Sequence, residues 1–234
     1  MSHLNDPANV SVQYATENNL RARQNLYEET EGPSAREVLW DALAAVAPRR
    51  VLEVGGGPGE LAERMRDELG ADVSFLDISP RMVELARERG IDAQVGDVQS
   101  LPFDGESFDT AVAAWMLYHV PDLDRGLAEL ARVLAPGGRL VAVTNSELHL
   151  RELRELIGLP LWSMPFSREN GEALLRRHFS VVERLDADGT VTVRDRAKLV
   201  AYRESITAKT DPIPDDVELP LTVHCATSVF VAST

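Results

Sequence analysis

Three carboxylates stand at or beside the ends of apolar runs: Glu53 within V-L-E-V, Asp77 after V-S-F-L, and Asp97 after Q-V-G. A carboxylate in such a place can accept both hydroxyls of a ribose diol. Its plainer duty is to cap nearby backbone N–H groups or to sit solvated at a strand end. Further on, Tyr118 and His119 follow the apolar run A-V-A-A-W-M-L. An imidazole titrates near neutral pH and can serve as a general base. A packed histidine that fixes its loop accounts for the same residue.

The elements that must position these groups repeat along the chain. Residues 51–54 form an apolar strand, and Gly55, Gly56, Gly57, Pro58 and Gly59 follow it. Residues 61–69 then place Leu61, Met65 and Leu69 on one helical face. Strand, glycine turn and helix make a nucleotide site, because glycine lets a ligand approach the backbone and the helix start presents free N–H groups. Strands are expected over 73–76, 92–95, 110–116 and 139–143, with helices over 81–89 and 121–134. Ser79 and Pro80 suit the N-cap and first turn of the helix over 81–89. Upstream, residues 11–30 read as one or two amphipathic helices, and Pro33 opens a helix to residue 47. Five βα units with strands apolar on both faces predict an α/β, doubly wound, mostly parallel sheet. The last third adds helices over 147–157, 169–178 and 196–207, and strands over 179–185, 190–193 and 221–231.

The dinucleotide fingerprint G-x-G-x-x-G/A needs a small residue at position 60, and the chain has Glu60 there. What it spells through Glu53, Gly55, Gly57 and Gly59 is E-x-G-x-G-x-G. This closely resembles motif I of the class I methyltransferases that use S-adenosylmethionine. The resemblance extends to Asp77, to Gly96-Asp97-Val98, to Ala113–His119 before Val120-Pro121-Asp122, and to the turn Pro136-Gly137-Gly138. It covers roughly residues 49–144 and is closest to the small-molecule branch that includes the ubiquinone/menaquinone methyltransferases. In place of that branch's H-H-V-P-D run the chain has Tyr118 for the first histidine and keeps His119 for the second.

The resemblance implies a seven-stranded Rossmann-like sheet with an antiparallel C-terminal strand. It implies a cofactor, S-adenosyl-L-methionine, held by the turn of Gly55, Gly57 and Gly59 and by Glu53, which faces the ligand's ammonium. Asp77 would take the ribose, Met82 would lie over the adenine, Asp97 and Val98 would meet the adenine edge, and Tyr14 and Trp115 would border the cleft. Tyr118 and His119 are the candidate catalytic residues. Arg23, Tyr118, Asn145, His149, Trp162, Met164 and Phe166 would line the acceptor side, with ordinary packing as the alternative for each. Residues 1–32 would form a helical lid, residues 33–234 the methyltransferase domain, and 147–178 an acceptor-side lid.

Composition limits the partners. The 234 residues carry 38 acids against 24 lysines and arginines, a formal net charge of −14. That balance disfavours a nucleic-acid substrate, whose binding rests on neutralised phosphates. The single cysteine excludes an internal disulfide and a cysteine-based zinc cluster. No clustered Asp, Asp and Asn set suggests a catalytic metal, no apolar run suits a membrane span, and a cytoplasmic monomer or homodimer is expected. The favoured activity is methyl transfer to an oxygen or nitrogen of a small-molecule acceptor, with secondary metabolism as the expected setting. A non-catalytic S-adenosylmethionine-binding scaffold and an NAD(P)-linked oxidoreductase are the competing readings. No N-P-P-Y acceptor loop of amino-N methylation follows the fourth strand.

Overall fold

Local sequence sets each element of the site. The structure, a computed structural model, describes residues 3–14, 17–160 and 163–234. Helix α1 (Pro7–Gln13) is capped by Asp6, whose Oδ1 accepts the Ala8 N–H at 2.9 Å, and α2 (Asn18–Gln24) runs into a 3-10 turn at Asn25–Glu29. A two-residue strand, β1 (Thr30–Glu31), precedes α3 (Ala35–Val46). Pro33 therefore lies outside the helix it was expected to open, because Ser34 in extended backbone is the N-cap.

The core alternates as read: β2 (Arg50–Val54), α4 (Glu60–Leu69), β3 (Asp72–Asp77), α5 (Pro80–Glu88), β4 (Asp92–Val95), β5 (Phe108–Ala114), α6 (Leu123–Val133) and β6 (Leu134–Asn145). Val51, Leu52 and Val54 of β2 are buried with no exposed surface, the mark of a strand covered on both faces. Ser79 caps α5 by accepting the Met82 N–H at 3.4 Å, and Asp122 caps α6 by accepting that of Arg125 at 3.1 Å.

The last third departs more from expectation. Helices α7 (Arg151–Leu156) and α8 (Gly171–Leu175) are shorter than read, and α9 (Arg196–Glu204) ends three residues early. The two strands expected over 179–185 and 190–193 are one, β7 (Val181–Val193), which pairs along its whole length with β8 (Leu221–Ser233). Asp186, Asp188 and Gly189 weaken the strand pattern in sequence. Continuous pairing to β8 overrides that weakness.

The sheet has eight strands in the order β1-β7-β8-β6-β5-β2-β3-β4. Strands β2 to β6 pair in parallel, and β8 inserts antiparallel between β6 and β7. Beyond the seven strands expected, β1 adds an edge by pairing with β7. The strand order reverses between β2 and β5, so the crevice at their carboxyl ends is where such a sheet binds ligands.

Candidate active site

The crevice is built on the turn after β2. Gly55, Gly57 and Gly59 all have positive φ, at 62°, 60° and 81°. A Cβ on Gly55 would fall 2.8 Å from the Met116 side chain, and one on Gly56 would fall 2.5 Å from the Glu53 carboxyl carbon. The turn therefore needs glycine both for its backbone and for its neighbours. On the far side of Gly57 the nearest side chain is Leu20 of α2, so the N-terminal segment rests on the turn.

Glu53 lies beneath the turn at 1% exposure. Its Oε2 is buried without a hydrogen-bond partner. Burial, with the nearby Asp77 charge adding to it, pushes its carboxyl up to about 8. Asp77 ends β3 at 7% exposure, and burial raises it to about 6 against the opposing effect of backbone donors. Its Oδ1 accepts the Ser79 N–H at 2.8 Å and its Oδ2 the Gly57 N–H at 3.3 Å. Asp77 thus ties the loop after β3 to the glycine turn.

The next signal sits lower in the crevice. Both Asp97 oxygens accept from Gln99, whose own Oε1 accepts the Asp122 N–H at 2.9 Å. Val98 is a core residue at 4% exposure, and Met82 is fully buried. A cleft of about 610 Å³ opens between α1 and the start of α5, lined by Val10, Tyr14, Ile78, Ser79 and Arg81 among others.

His119 closes a 3-10 turn at Leu117–His119. Its Nδ1 lies 2.6 Å from the Leu4 carbonyl oxygen, so that nitrogen carries the proton and donates. Its Nε2 then accepts from the Tyr14 hydroxyl at 3.0 Å. Burial lowers the imidazole to about 4 and keeps it neutral. Both nitrogens are spoken for. Tyr118 packs edge-on against this ring at 4.5 Å, and burial holds its phenol far above the usual range. Arg23 stands 5.5 Å from the Tyr14 ring centroid and moderates the burial-driven rise of Tyr14, Tyr118 and Tyr202, while Tyr27 keeps 36% of its surface exposed.

The acceptor-side residues divide. Asn145, at the end of β6, accepts from Trp115 Nε1 at 3.2 Å and from Thr227 Oγ1 at 2.9 Å. Trp115 itself has φ 54°. His149 is 8% exposed and bonds the Tyr27 hydroxyl at 2.8 Å, a residue read from sequence only as part of a helix. Phe166 is a correction: fully buried and edge-on to Phe230, it is core and not a pocket wall. Met164 is 8% exposed, and Trp162 lies outside the described residues. The Leu4, Tyr27, Gln99 and Thr227 contacts carry no motif. Among the described residues, no group of three or more His, Cys, Asp or Glu is placed to hold a metal ion, and no helix is long and apolar enough to cross a membrane.

Parallel strands ordered around a glycine turn, with an antiparallel β8, define a class I, Rossmann-like methyltransferase fold. Residues 52–142, from β2 into β6, match the family model described as a methyltransferase domain. It is 40% identical over 113 residues to the demethylmenaquinone methyltransferase of Renibacterium salmoninarum, covering 47% of each chain. It is 37% identical over 117 residues to the methyltransferase GfsG of Streptomyces halstedii, covering 47% of this chain and 42% of that one. The matches thus span about half the length of these curated relatives. Among solved structures, the [4+2]-cyclase SpnF superposes with a TM-score of 0.63 at 23% identity, covering 96% of this chain and 95% of that one. A Haemonchus contortus phosphoethanolamine N-methyltransferase, solved with S-adenosylhomocysteine, gives 0.67 at 16% identity, covering 100% of this chain and 60% of that one. At these identities the structures speak for the fold alone.

Proposed function

We propose that the protein transfers a methyl group from S-adenosylmethionine to an oxygen or nitrogen atom of a small molecule, in secondary metabolism. The observation that carries this reading is the buried, unpartnered Oε2 of Glu53 under a turn of left-handed glycines. A buried acceptor without a donor is costly, and the cofactor's ammonium is the donor that would satisfy it. When bound, the cofactor supplies a sulfonium whose methyl group is already activated.

The chain's own residues then bind and orient. Glu53 holds the ammonium, Asp77 accepts the ribose hydroxyls, and Asp97 with Val98 faces the adenine edge. Met82, with no exposed surface, belongs to the core behind that site and does not present a face to it. Tyr14, latched to His119, keeps α1 over the cleft and excludes water. With both His119 nitrogens committed and Tyr118 a weak acid, the acceptor arrives already nucleophilic, and alignment with desolvation supplies the rate. The same commitment of His119 favours one second reading, a protein that binds the cofactor without turnover.

Calorimetric titration with S-adenosylmethionine, S-adenosylhomocysteine and NAD+ tests the cofactor. Micromolar binding of the first two and none of the third is expected; binding of NAD+ alone would overturn the reading. Methyl-labelled cofactor, incubated with phenol, alcohol and amine acceptors, then separates turnover from mere binding.

A further inference from the structure

The turn after β2 is held from three points. Two lie on β3: the Leu76 carbonyl accepts the Gly55 N–H at 2.7 Å, and Asp77 Oδ2 accepts that of Gly57 at 3.3 Å. The third is Arg89, the C-cap of α5, whose Nε–H donates to the Pro58 carbonyl oxygen at 2.9 Å. One helical turn earlier, Ala86 closes on Gly59, where a Cβ would fall 2.9 Å from the Ala86 Cβ. The tip of the glycine turn, Pro58-Gly59, therefore rests on α5.

Glu60, the residue that breaks the dinucleotide fingerprint, finds its partner here. Arg89 lies 3.7 Å from Glu60 and donates to Glu63, both in the first turn of α4. Arg66 of α4 returns the tie by donating to the Arg89 carbonyl at 2.7 Å. The side chains of Arg89, Glu60 and Glu63 are all partly exposed, so the ion pairs themselves contribute little. The bond to Pro58 is of another kind. Its carbonyl precedes the N-cap Gly59 and stands outside the helical ladder, so a donor from elsewhere must fix it, and a guanidinium makes a strong one.

We infer that Arg89 is a positioning residue for the cofactor: by holding the Pro58 carbonyl it sets the glycine turn in the conformation that S-adenosylmethionine meets. This rests on the methyl-transfer reading, in which the ribose hydroxyls go to Asp77. The Gly57 N–H then shares Asp77 with the ligand, and at 3.3 Å it is already the longest of the three holds. Gly55, Gly57 and Gly59 give the turn little stiffness of their own. Without Arg89 the turn is left to order as the cofactor arrives, and that ordering subtracts from affinity.

The test is calorimetric titration with S-adenosylhomocysteine of the native protein, Arg89→Ala, Arg89→Lys and Glu60→Ala, with melting temperatures taken alongside. Arg89→Ala should weaken binding about five-fold or more. Arg89→Lys keeps a donor for the Pro58 carbonyl and should recover part of that loss. Glu60→Ala removes an exposed pair but leaves the carbonyl bond, and should bind within about two-fold of native. Amide exchange over residues 55–59 of the bound protein should quicken in Arg89→Ala and stay native-like in Glu60→Ala. A residue that merely clipped α5 to α4 would lower the melting temperature and leave affinity alone. Binding by Arg89→Ala within about two-fold of native, or an equal loss in Glu60→Ala, would overturn the inference and leave the methyl-transfer reading standing. A native protein that takes no S-adenosylhomocysteine would overturn that reading, and the inference with it.

Discussion

The Tyr14 hydroxyl lies 3.0 Å from Nε2 of His119, and the other nitrogen of the same ring lies 2.6 Å from the Leu4 carbonyl oxygen. One imidazole thus pins two points of the N-terminal segment to the loop after β5. In His119→Ala both pins are lost, and amide exchange across residues 3–14 should speed up with the core unchanged. Cofactor affinity should fall several-fold with the latch. Exchange mass spectrometry is the check, and native-like protection of residues 3–14 in the variant would contradict the latch.

The ribose assignment is tested at Asp77. Asp77→Asn keeps the shape but exchanges one accepting oxygen for a donor, and should weaken S-adenosylhomocysteine binding by about 1–3 kcal/mol. Calorimetry on variant and native protein reads this directly; equal affinities would remove Asp77 from the cofactor site.

If Glu53 holds the cofactor's ammonium as proposed, it couples cofactor binding to pH. At about 8 its carboxyl is protonated in the free protein over much of the neutral range, yet it must be ionised to hold an ammonium. Binding at pH 6–7 should therefore release about one proton, and affinity should rise with pH toward 8. Titrations in two buffers of different ionisation enthalpy measure that proton. In Glu53→Gln the release should vanish.

The free protein's stability feels two opposing titrations. Glu53 and Asp77 are raised to about 8 and about 6, so the folded state binds more protons than the unfolded one between their ordinary values and these. Their contribution is fully present at acid pH and is lost as pH rises through that window. His119 and His149 are lowered to about 4, so their contribution is present above the ordinary histidine value and is lost as pH falls toward 4. Melting temperatures should pass through a maximum in mildly acidic buffer. Glu53→Gln should flatten the alkaline side, and a curve unchanged there would refute the assignment.

At the turn, Gly56→Ala should cost more than Gly57→Ala. The first drives a Cβ to within 2.5 Å of the Glu53 carboxyl carbon and 2.6 Å of the Phe75 ring. Gly57→Ala meets only Leu20, at 3.4 Å, and adds backbone strain of about 1–2 kcal/mol at φ 60°. Thermal melts of the two variants give the order.

Most of the fold from β2 to β6 was legible because its strands are covered on both faces and its turns need glycine or a capping residue. Glu53 and Asp77 were legible for the same reason: they stand at fixed places relative to that turn. The last third was not. The long β7 draws its continuity from β8, forty residues of sequence away at its start, and no local pattern announces it. His119 was visible as a residue and not as a role, since Leu4 and Tyr14 meet it only in the folded chain. Phe166 looked like a pocket aromatic because neighbouring apolar residues in a loop look alike, and only Phe230 shows which way it faces.

Strand β1 has a consequence for the timing of ligand exchange. Backbone pairing of Thr30 and Glu31 to β7 fastens the start of the chain at one margin of the sheet. From there the segment crosses the crevice to Ser79, whose hydroxyl donates to the Tyr14 carbonyl at 3.1 Å. One end is riveted by a sheet ladder and the other is buttoned by side chains, so the buttoned end lifts first. On the methyl-transfer reading, a spent cofactor would then leave from the α5 side, at a rate set by how often Tyr14 and His119 part company.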